Sequence, residues 1–283
     1  MSNQLTAEDL KQVREKSPFK DLKIQDDTVL YDMLHREKCP NCQKNMKHYC
    51  YNCFTVIGME RSQVPFVKLP VTIDIIKHEA ESDGTTTALH ARIVADKDVR
   101  VYSWKKMPRF SQPERVLMLF PGPDARKLSE IPQDSFDHMI VIDGTWKQAQ
   151  KMVRDTPLLR AVQKVTLEPR LTFFWRFQNL SVNYLSTIEA IYYLYVEYAQ
   201  AFELKEGQVY DGRYDNLMFY YKYLYDLIQY SYTKGEKKDK EFCWRHKAGY
   251  IKDRKPSTIR RDAFGKVLDK DEYEIQRGKN KTR

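Results

Sequence analysis

No stretch of this sequence approaches the roughly 18 apolar residues that a membrane-spanning helix needs, so a helical membrane protein is not expected. The segment Met1 to Lys20 is polar and has no apolar core of the kind a secretory signal carries, so an intracellular chain is expected. No internal repeat is visible, which argues against repeat architectures. Cysteine is scarce, at five residues, and four of these fall within Cys39 to Cys53. Structural disulfides are rare inside cells, so metal binding is the better reading of that cluster.

What is present is enough for a real core. The 283 residues suit one large domain, or one domain with a small module, and 42% of them are hydrophobic. Charged residues make up 31%, and the net charge is +9, a balance that fits an acidic partner such as nucleic acid. Charge alone does not separate that reading from a merely basic protein.

Along the chain, Thr6-Ala7-Glu8-Asp9 has the spacing of a capping box. It predicts a short helix with Leu10 and Val13 as a weak apolar face, docked on something larger. From Phe66 the pattern changes to short apolar runs. Strands are expected at Val71 to Ile76, Arg92 to Val94, Val116 to Phe120, Met139 to Ile142 and Val162 to Leu167. The runs at Val116 and Met139 are nearly continuous, as in strands buried on both faces. Helices are expected at Lys147 to Arg154, Thr187 to Phe202 and Asn216 to Tyr232. In the second of these, Ile188, Ile191, Tyr192, Tyr195 and Tyr198 share helical spacing; in the third, Leu217, Tyr220, Tyr221, Leu224 and Ile228 do. The tyrosines read as packing residues with wet hydroxyls rather than as a base-stacking array. Strands alternating with helices imply an α/β sheet with crossover connections.

Lys234 to Lys240 is a charged break. From Arg245 onward thirteen Lys/Arg meet six Asp/Glu with little hydrophobic periodicity, so this stretch is either a solvated terminus or a phosphate-contacting arm or nuclear address. The expected organisation is an N-terminal helical extension over 1–38, a zinc-knuckle module over 39–62, a main α/β domain over 63–233 and a basic tail over 234–283. The nucleus is the expected location, with the cytoplasm as alternative.

The cysteines are arranged as Cys39-Pro40-Asn41-Cys42 and Cys50-Tyr51-Asn52-Cys53. Each pair forms a knuckle, and four thiolates suit a tetrahedral Zn²⁺ with Zn–S distances of about 2.3 Å. A set of four leaves no position for a catalytic water, so the site reads as structural. His35 and His48 read as bystanders. Lys44, Lys47, His48 and Tyr49 either touch RNA or form the knuckle's outer side. Cys243 reads as an unrelated thiol.

Three segments share one character, in which apolar residues end abruptly in small or polar ones: Met118 to Pro123, Ile140 to Trp146, and Asn183 to Ala190. In parallel α/β sheets, ligands bind beyond the carboxyl ends of strands. Gly122 and Gly144 permit close backbone approach. Ser186 or Thr187 can cap the following helix, whose amides suit a carboxylate. Singly, each segment is an ordinary turn or cap. Together they point to a cofactor pocket without naming the cofactor.

Asp143-Gly144-Thr145-Trp146, followed by Lys147-Gln148-Ala149, resembles the signature of the DTW-domain family. Other stretches resemble the family in the same order: the cysteine knuckles, Leu119 to Gly122, Pro157-Leu158-Leu159, Arg176, and Leu185-Ser186-Thr187-Ile188-Glu189-Ala190. His78-Glu79 with Thr86-Thr87 and Leu89 also matches, but the family usually has proline where Glu79 stands and asparagine where Thr86 stands. The likeness runs from about Cys39 to about Tyr230. It implies a SPOUT-like, knotted, mainly parallel sheet flanked by helices, with a small N-terminal zinc-knuckle module.

The implied activity is transfer of the 3-amino-3-carboxypropyl group of S-adenosylmethionine to uridine N3 in a tRNA D-loop, releasing methylthioadenosine. On that resemblance, Asp143 is the expected base. The expected cofactor contacts are Leu119, Pro121, Gly122, Gly144, Thr145, Trp146, Leu185, Ser186, Thr187 and Glu189. Among these, Ser186 and Thr187 are expected to hold the methionyl carboxylate, and Glu189 to bind the amino group or brace the loop. Trp146 either stacks on the target base or supports the loop from behind. Arg176 meets either the carboxylate or RNA phosphate. Two rival readings are a methyltransferase sharing the fold and a non-catalytic zinc-knuckle RNA-binding protein.

Overall fold

The computed structural model describes residues 5–175 and 183–233. Arg176, Cys243, the break at Lys234 to Lys240 and the basic stretch from Arg245 lie outside the described residues. The chain divides into two units: Met1–Leu167 with Thr187–Leu227, and Glu168–Ser186 with Ile228–Arg283. The first holds the elements discussed below. In the second, Arg170, Trp175 and Ser186 are buried.

The chain runs through helices α1 (Ala7–Lys16) and α2 (Thr28–Asp32), short strands β1 (Glu37–Lys38) and β2 (Asn45–Met46), then β3 (Thr72–Lys77), α3 (Ala88–Val94), β4 (Val99–Ser103), β5 (Val116–Leu119) and β6 (His138–Asp143). It continues through α4 (Trp146–Asp155), α5 (Pro157–Ala161), β7 (Gln163–Val165), α6 (Thr187–Tyr198) and α7 (Phe219–Thr233). Among the described residues β3 to β7 form one five-stranded sheet, ordered β4-β3-β6-β5-β7, with every pairing parallel. The fold is α/β, as the alternation of runs predicts.

The order of the strands positions the site. After β3 the chain turns through α3 to β4 on one side. After β6 it turns through α4 and α5 to β7 on the other. β3 and β6 are neighbours, so their carboxyl ends are a topological switch point, where the outgoing connections diverge and leave a crevice. Ile76 and Ile140 pack with Ala149, Met152, Val153 and Leu159 beneath α4 and α5. Each of the isoleucine, methionine, valine and leucine side chains, when fully buried, contributes about 1.5–3 kcal/mol. The opposite face is covered by α3 and α6, which pack against each other.

One expected strand is a helix. Arg92 to Val94 forms the last turn of α3, and the edge strand begins later, at Val99. Ala88, Leu89, His90, Ala91, Ile93 and Val94 are all buried. A helix buried almost all round shows no 3.6-residue alternation, and its Ile-Val end imitates a strand. α6 is likewise apolar around its circumference, and Ile188, Ile191, Tyr192, Tyr195 and Tyr198 are all buried. It ends four residues before the expected Phe202, passing into a π turn at Ala199–Glu203.

The tyrosine hydroxyls are not uniformly wet, contrary to expectation. Tyr195 Oη donates to the Val71 carbonyl at 2.6 Å and Tyr192 Oη to Asp215 at 2.9 Å, both buried. Burial without such partners would be costly, so these rings tie α6 to the entry of β3 and to the segment before α7.

α1 has the predicted capping box between Thr6 and Asp9, and no residue of it is buried. It docks by charge and by the residues that follow it. Arg14 meets Asp27 at 2.6 Å, Asp27 meets Lys222 of α7 at 2.7 Å, and Lys222 meets Asp226 at 3.2 Å. Phe19 packs edge-on against Tyr221 and Tyr225.

Candidate functional site

β6 delivers Asp143 to its carboxyl end, next to Lys77 at the end of β3, and the two are register partners. Asp143 is 4% exposed. Its Oδ2 accepts from Thr86 Oγ1 at 2.8 Å and its Oδ1 from Thr187 Oγ1 at 2.6 Å. Thr86 closes the loop leading from β3 to α3, and Thr187 opens α6. One carboxylate therefore joins three connections that meet at the switch point. Burial raises the Asp143 carboxyl above the usual carboxylate range, and the two threonine hydroxyls oppose that shift. Nearby Glu81 pushes it further up and Lys77 pulls it down.

The loop from β3 is itself held. Lys77 Nζ donates to the Glu81 carbonyl at 2.8 Å and pairs with Asp83 at 2.8 Å. The His78 amide donates to the Asp143 carbonyl at 2.8 Å, and the His78 ring stacks on Trp104. Glu79, where the family usually has proline, uses its carboxylate to accept from Ser103 Oγ and the Lys105 amide, each at 2.8 Å. The departure replaces a rigid turn residue with a side-chain brace. Thr86, where the family usually has asparagine, supplies a hydroxyl donor to Asp143 and also accepts from the Ala88 amide at 3.1 Å.

The rest of the signature is shaped by a helix start. Thr145 caps α4, and its amide donates to Gln148 Oε1 at 2.6 Å, completing a capping box. A Cβ on Gly144 would lie 3.2 Å from Gln148 Oε1 and 3.3 Å from His78 Cβ, so crowding there favours glycine. Trp146 stacks on Phe120, with centroids 5.3 Å apart and planes 10° apart, and packs against the cluster beneath α4.

Leu119 ends β5, beside Val141 of β6 and Val165 of β7. Pro121 and Gly122 follow it, exposed. Asp124, two residues on, pairs with Lys164 at 2.6 Å and braces this loop. Glu189 is buried in the first turn of α6, where the Ile188 amide donates to Thr87 Oγ1 at 3.3 Å. Leu185 and Ser186 belong to the second unit, the former half-buried and the latter buried. Asp143, Thr86 and Thr187 are thus brought together. Thr86 entered the sequence reading only as a departure from the family pattern. Lys77 was not singled out, although a lysine closing an apolar strand was a visible signal.

The four cysteines also converge. Their sulfurs all lie within 4.8 Å of one another. Each knuckle has the same wiring. Gln43 N donates to the Cys39 carbonyl and Phe54 N to the Cys50 carbonyl, both at 2.9 Å. Gln43 and Phe54, each one residue past the second cysteine of its knuckle, have φ of 60° and 56°. Desolvation would raise the Cys39 thiol, but backbone amides of Cys42 and Asn41 and the neighbouring sulfurs bring it down to about 7. Desolvation and the other three thiols push Cys53 up to about 12. Four sulfurs this close together, with no carboxylate among them, fit a soft-ligand dication such as Zn²⁺.

His48 is no ligand: its Nδ1 faces Met33 Sδ at 3.3 Å and its Nε2 faces Tyr223 Oη at 3.2 Å. His48 and Tyr49 are buried, so neither is an RNA-contacting surface residue. Tyr49 packs on His90 and Tyr220, which seats the knuckles on α3 and α7. Lys44 is exposed.

No helix of the described residues is long and apolar enough to cross a membrane. The DTW domain family matches residues 36–229. A Xenopus laevis protein named tRNA-uridine aminocarboxypropyltransferase 1 is 37% identical over 237 residues, covering 68% of this chain and 80% of its own length. The proteins of that name from Mus musculus and Homo sapiens are each 32% identical over 247 residues, covering 71% of this chain and 80% of theirs. No solved structure shows a significant match. With the family matched across most of the chain, and its signature aspartate at the sheet's switch point, the chain belongs to the DTW-domain family.

Proposed function

We propose that this protein is a tRNA-uridine aminocarboxypropyltransferase. The observation that carries the reading is Asp143, a buried carboxylate at the β3–β6 switch point with a hydroxyl donor on each oxygen. The names of the relatives support the reaction class. The donor is S-adenosylmethionine, and the acceptor is uridine N3 in the tRNA D-loop. Uridine N3 attacks the γ-carbon of the methionyl arm, the carbon–sulfur bond breaks, and methylthioadenosine leaves. The N3 proton passes to Asp143.

A general base is useful because N3 is weakly acidic. Burial raises the proton affinity of Asp143, while Thr86 and Thr187 hold it in one orientation. The sulfonium is already a good leaving group, so positioning supplies much of the rate. The arm, rather than the methyl group, must be aimed at the base. Gly122 and Gly144, with Leu119, Pro121, Thr145 and Trp146, shape the loops around the donor; Leu185, Ser186, Thr187 and Glu189 follow the family's second motif.

We also take the fold to be SPOUT-like and knotted, which the all-parallel sheet supports. Cys39, Cys42, Cys50 and Cys53 would hold a structural Zn²⁺, whose role is to close the knuckles. The tail beyond Arg245 is basic, which supports a nuclear site of action.

The test is nucleoside mass spectrometry of tRNA from cells lacking the protein. The expected result is disappearance of aminocarboxypropyluridine and its return with the wild-type chain but not with Asp143→Ala. Persistence of the modification in the deleted cells contradicts the reading. The appearance of a lost methyl mark instead favours the methyltransferase rival.

A further inference from the structure

We propose that Lys77 is the cationic anchor for the α-carboxylate of the donor, an assignment that rests on the reading of S-adenosylmethionine as donor. The transferred arm keeps its carboxylate throughout the reaction, so the site must supply donors for a permanent anion. Of the two hydroxyls first expected to do this, that of Thr187 is committed elsewhere, and so is that of neighbouring Thr86. A threonine hydroxyl has one proton to give. Thr187 gives its proton to Asp143 Oδ1, and Thr86 gives its own to Asp143 Oδ2. The Ile188 amide at the start of α6 donates to Thr87 Oγ1. A cation answers a permanent anion best, and the sheet places Lys77 beside Asp143.

Lys77 and Asp143 are register partners on adjacent parallel strands, so their side chains leave the same face. The Lys77 side chain is 15% exposed, held at the rim rather than extended into solvent. Its ammonium carries three donors, and two are engaged, by the Glu81 carbonyl and Asp83. Asp83 is 44% exposed, and pairs of that kind are weak. An incoming carboxylate can take the third donor or replace Asp83. Fixing the far end of the arm also fixes where its γ-carbon lies relative to Asp143, which is how geometry selects the arm over the methyl group.

The competing role is electrostatic: Lys77 would merely favour the ionised form of Asp143. Binding calorimetry on the full chain separates the two, using S-adenosylmethionine and its decarboxylated analogue. Wild type is expected to bind the carboxylated ligand tighter by about tenfold or more, the range for a charge-assisted hydrogen bond. Lys77→Met is expected to bring the two ligands level, chiefly by weakening S-adenosylmethionine. Lys77→Arg is expected to keep most of the preference. Asp83→Asn, which frees the ammonium, is expected to maintain or widen it. An unchanged ratio in Lys77→Met overturns the assignment, as does an equal loss for both ligands. Should Lys77→Met not fold, Asp83→Asn decides, and a narrowed ratio there overturns the assignment. If wild type binds neither ligand, the donor reading falls and the anchor with it; if wild type binds and only the ratios fail, the anchor alone falls.

Discussion

The cysteine cluster and the Asp143 site are both convergences of side chains, built in opposite ways. All four sulfurs come from fifteen consecutive residues, and each knuckle closes through its own backbone amides. The partners of Asp143 come from 57 residues before it and 44 residues after it. The first site is local and needs only turns of the right φ. The second exists only when β3, β6 and α6 are assembled. A local site gives stability where it stands, whereas a nonlocal site can carry chemistry only at the cost of a buried charge. That difference says where each should fail.

The sharpest break is Asp143→Asn. Transfer is expected to fall by about 10²–10⁴-fold, the usual worth of a general base. Stability is expected to hold or rise. Burial raises the folded-state carboxyl above its unfolded value, so its ionised form opposes folding as pH climbs past that range. Thermal melting beside the rate measurement checks both halves, and a large fall in melting temperature would make Asp143 structural.

The knuckles should show the reverse. Cys42→Ser, or a strong chelator, is expected to release one zinc per chain and destabilise it by several kcal/mol, lowering the melting temperature by on the order of 10 °C. Because His48 and Tyr49 pack on Tyr223 and Tyr220, α7 should loosen too, with faster amide exchange along it. Elemental analysis that finds no metal would sink the zinc assignment.

Thr86→Val is a finer cut. It removes one hydroxyl that lowers the Asp143 proton affinity, so the acidic limb of kcat/KM should move to higher pH. The rate at neutral pH should fall by on the order of tenfold. A uniform loss at all pH values would mean that Thr86 only holds the loop.

The smallest effect expected is at Asp226, whose carboxyl is pushed up to about 6 by burial, against the pull of Lys222. An unfolded aspartate titrates near 3.9, so the folded chain binds this proton more tightly. The group's contribution is fully present below about pH 4 and lost as pH rises through about 6. Asp226→Asn should therefore flatten the stability profile over that window and gain on the order of 1 kcal/mol at pH 7. An unchanged profile would show that Asp226 stays ionised through its link to Lys222.

The same contrast explains what could be read from sequence. The knuckles, the cap at Thr6, and the strands at β3, β5 and β6 depend on near neighbours, and spacing shows them. α3 was misread because burial on nearly every side erased its period. The hydroxyls of Tyr192 and Tyr195 were expected in water, since their acceptors, Asp215 and the Val71 carbonyl, are distant in sequence. The signature marked Asp143, but its grip by Thr86 and Thr187 follows from strand order. His48 and Tyr49 sat in an exposed-looking loop and proved buried, because α7 covers them from far along the chain.

The central claim is the chemistry at Asp143, and one measurement meets it directly. The protein is incubated with unmodified tRNA and S-adenosylmethionine labelled either in the carboxyl carbon or in the methyl carbon. Carboxyl label is expected in the RNA with wild type and to be nearly absent with Asp143→Asn, while methyl label stays with the released methylthioadenosine. Methyl label in the RNA, or undiminished carboxyl label with Asp143→Asn, would contradict the account.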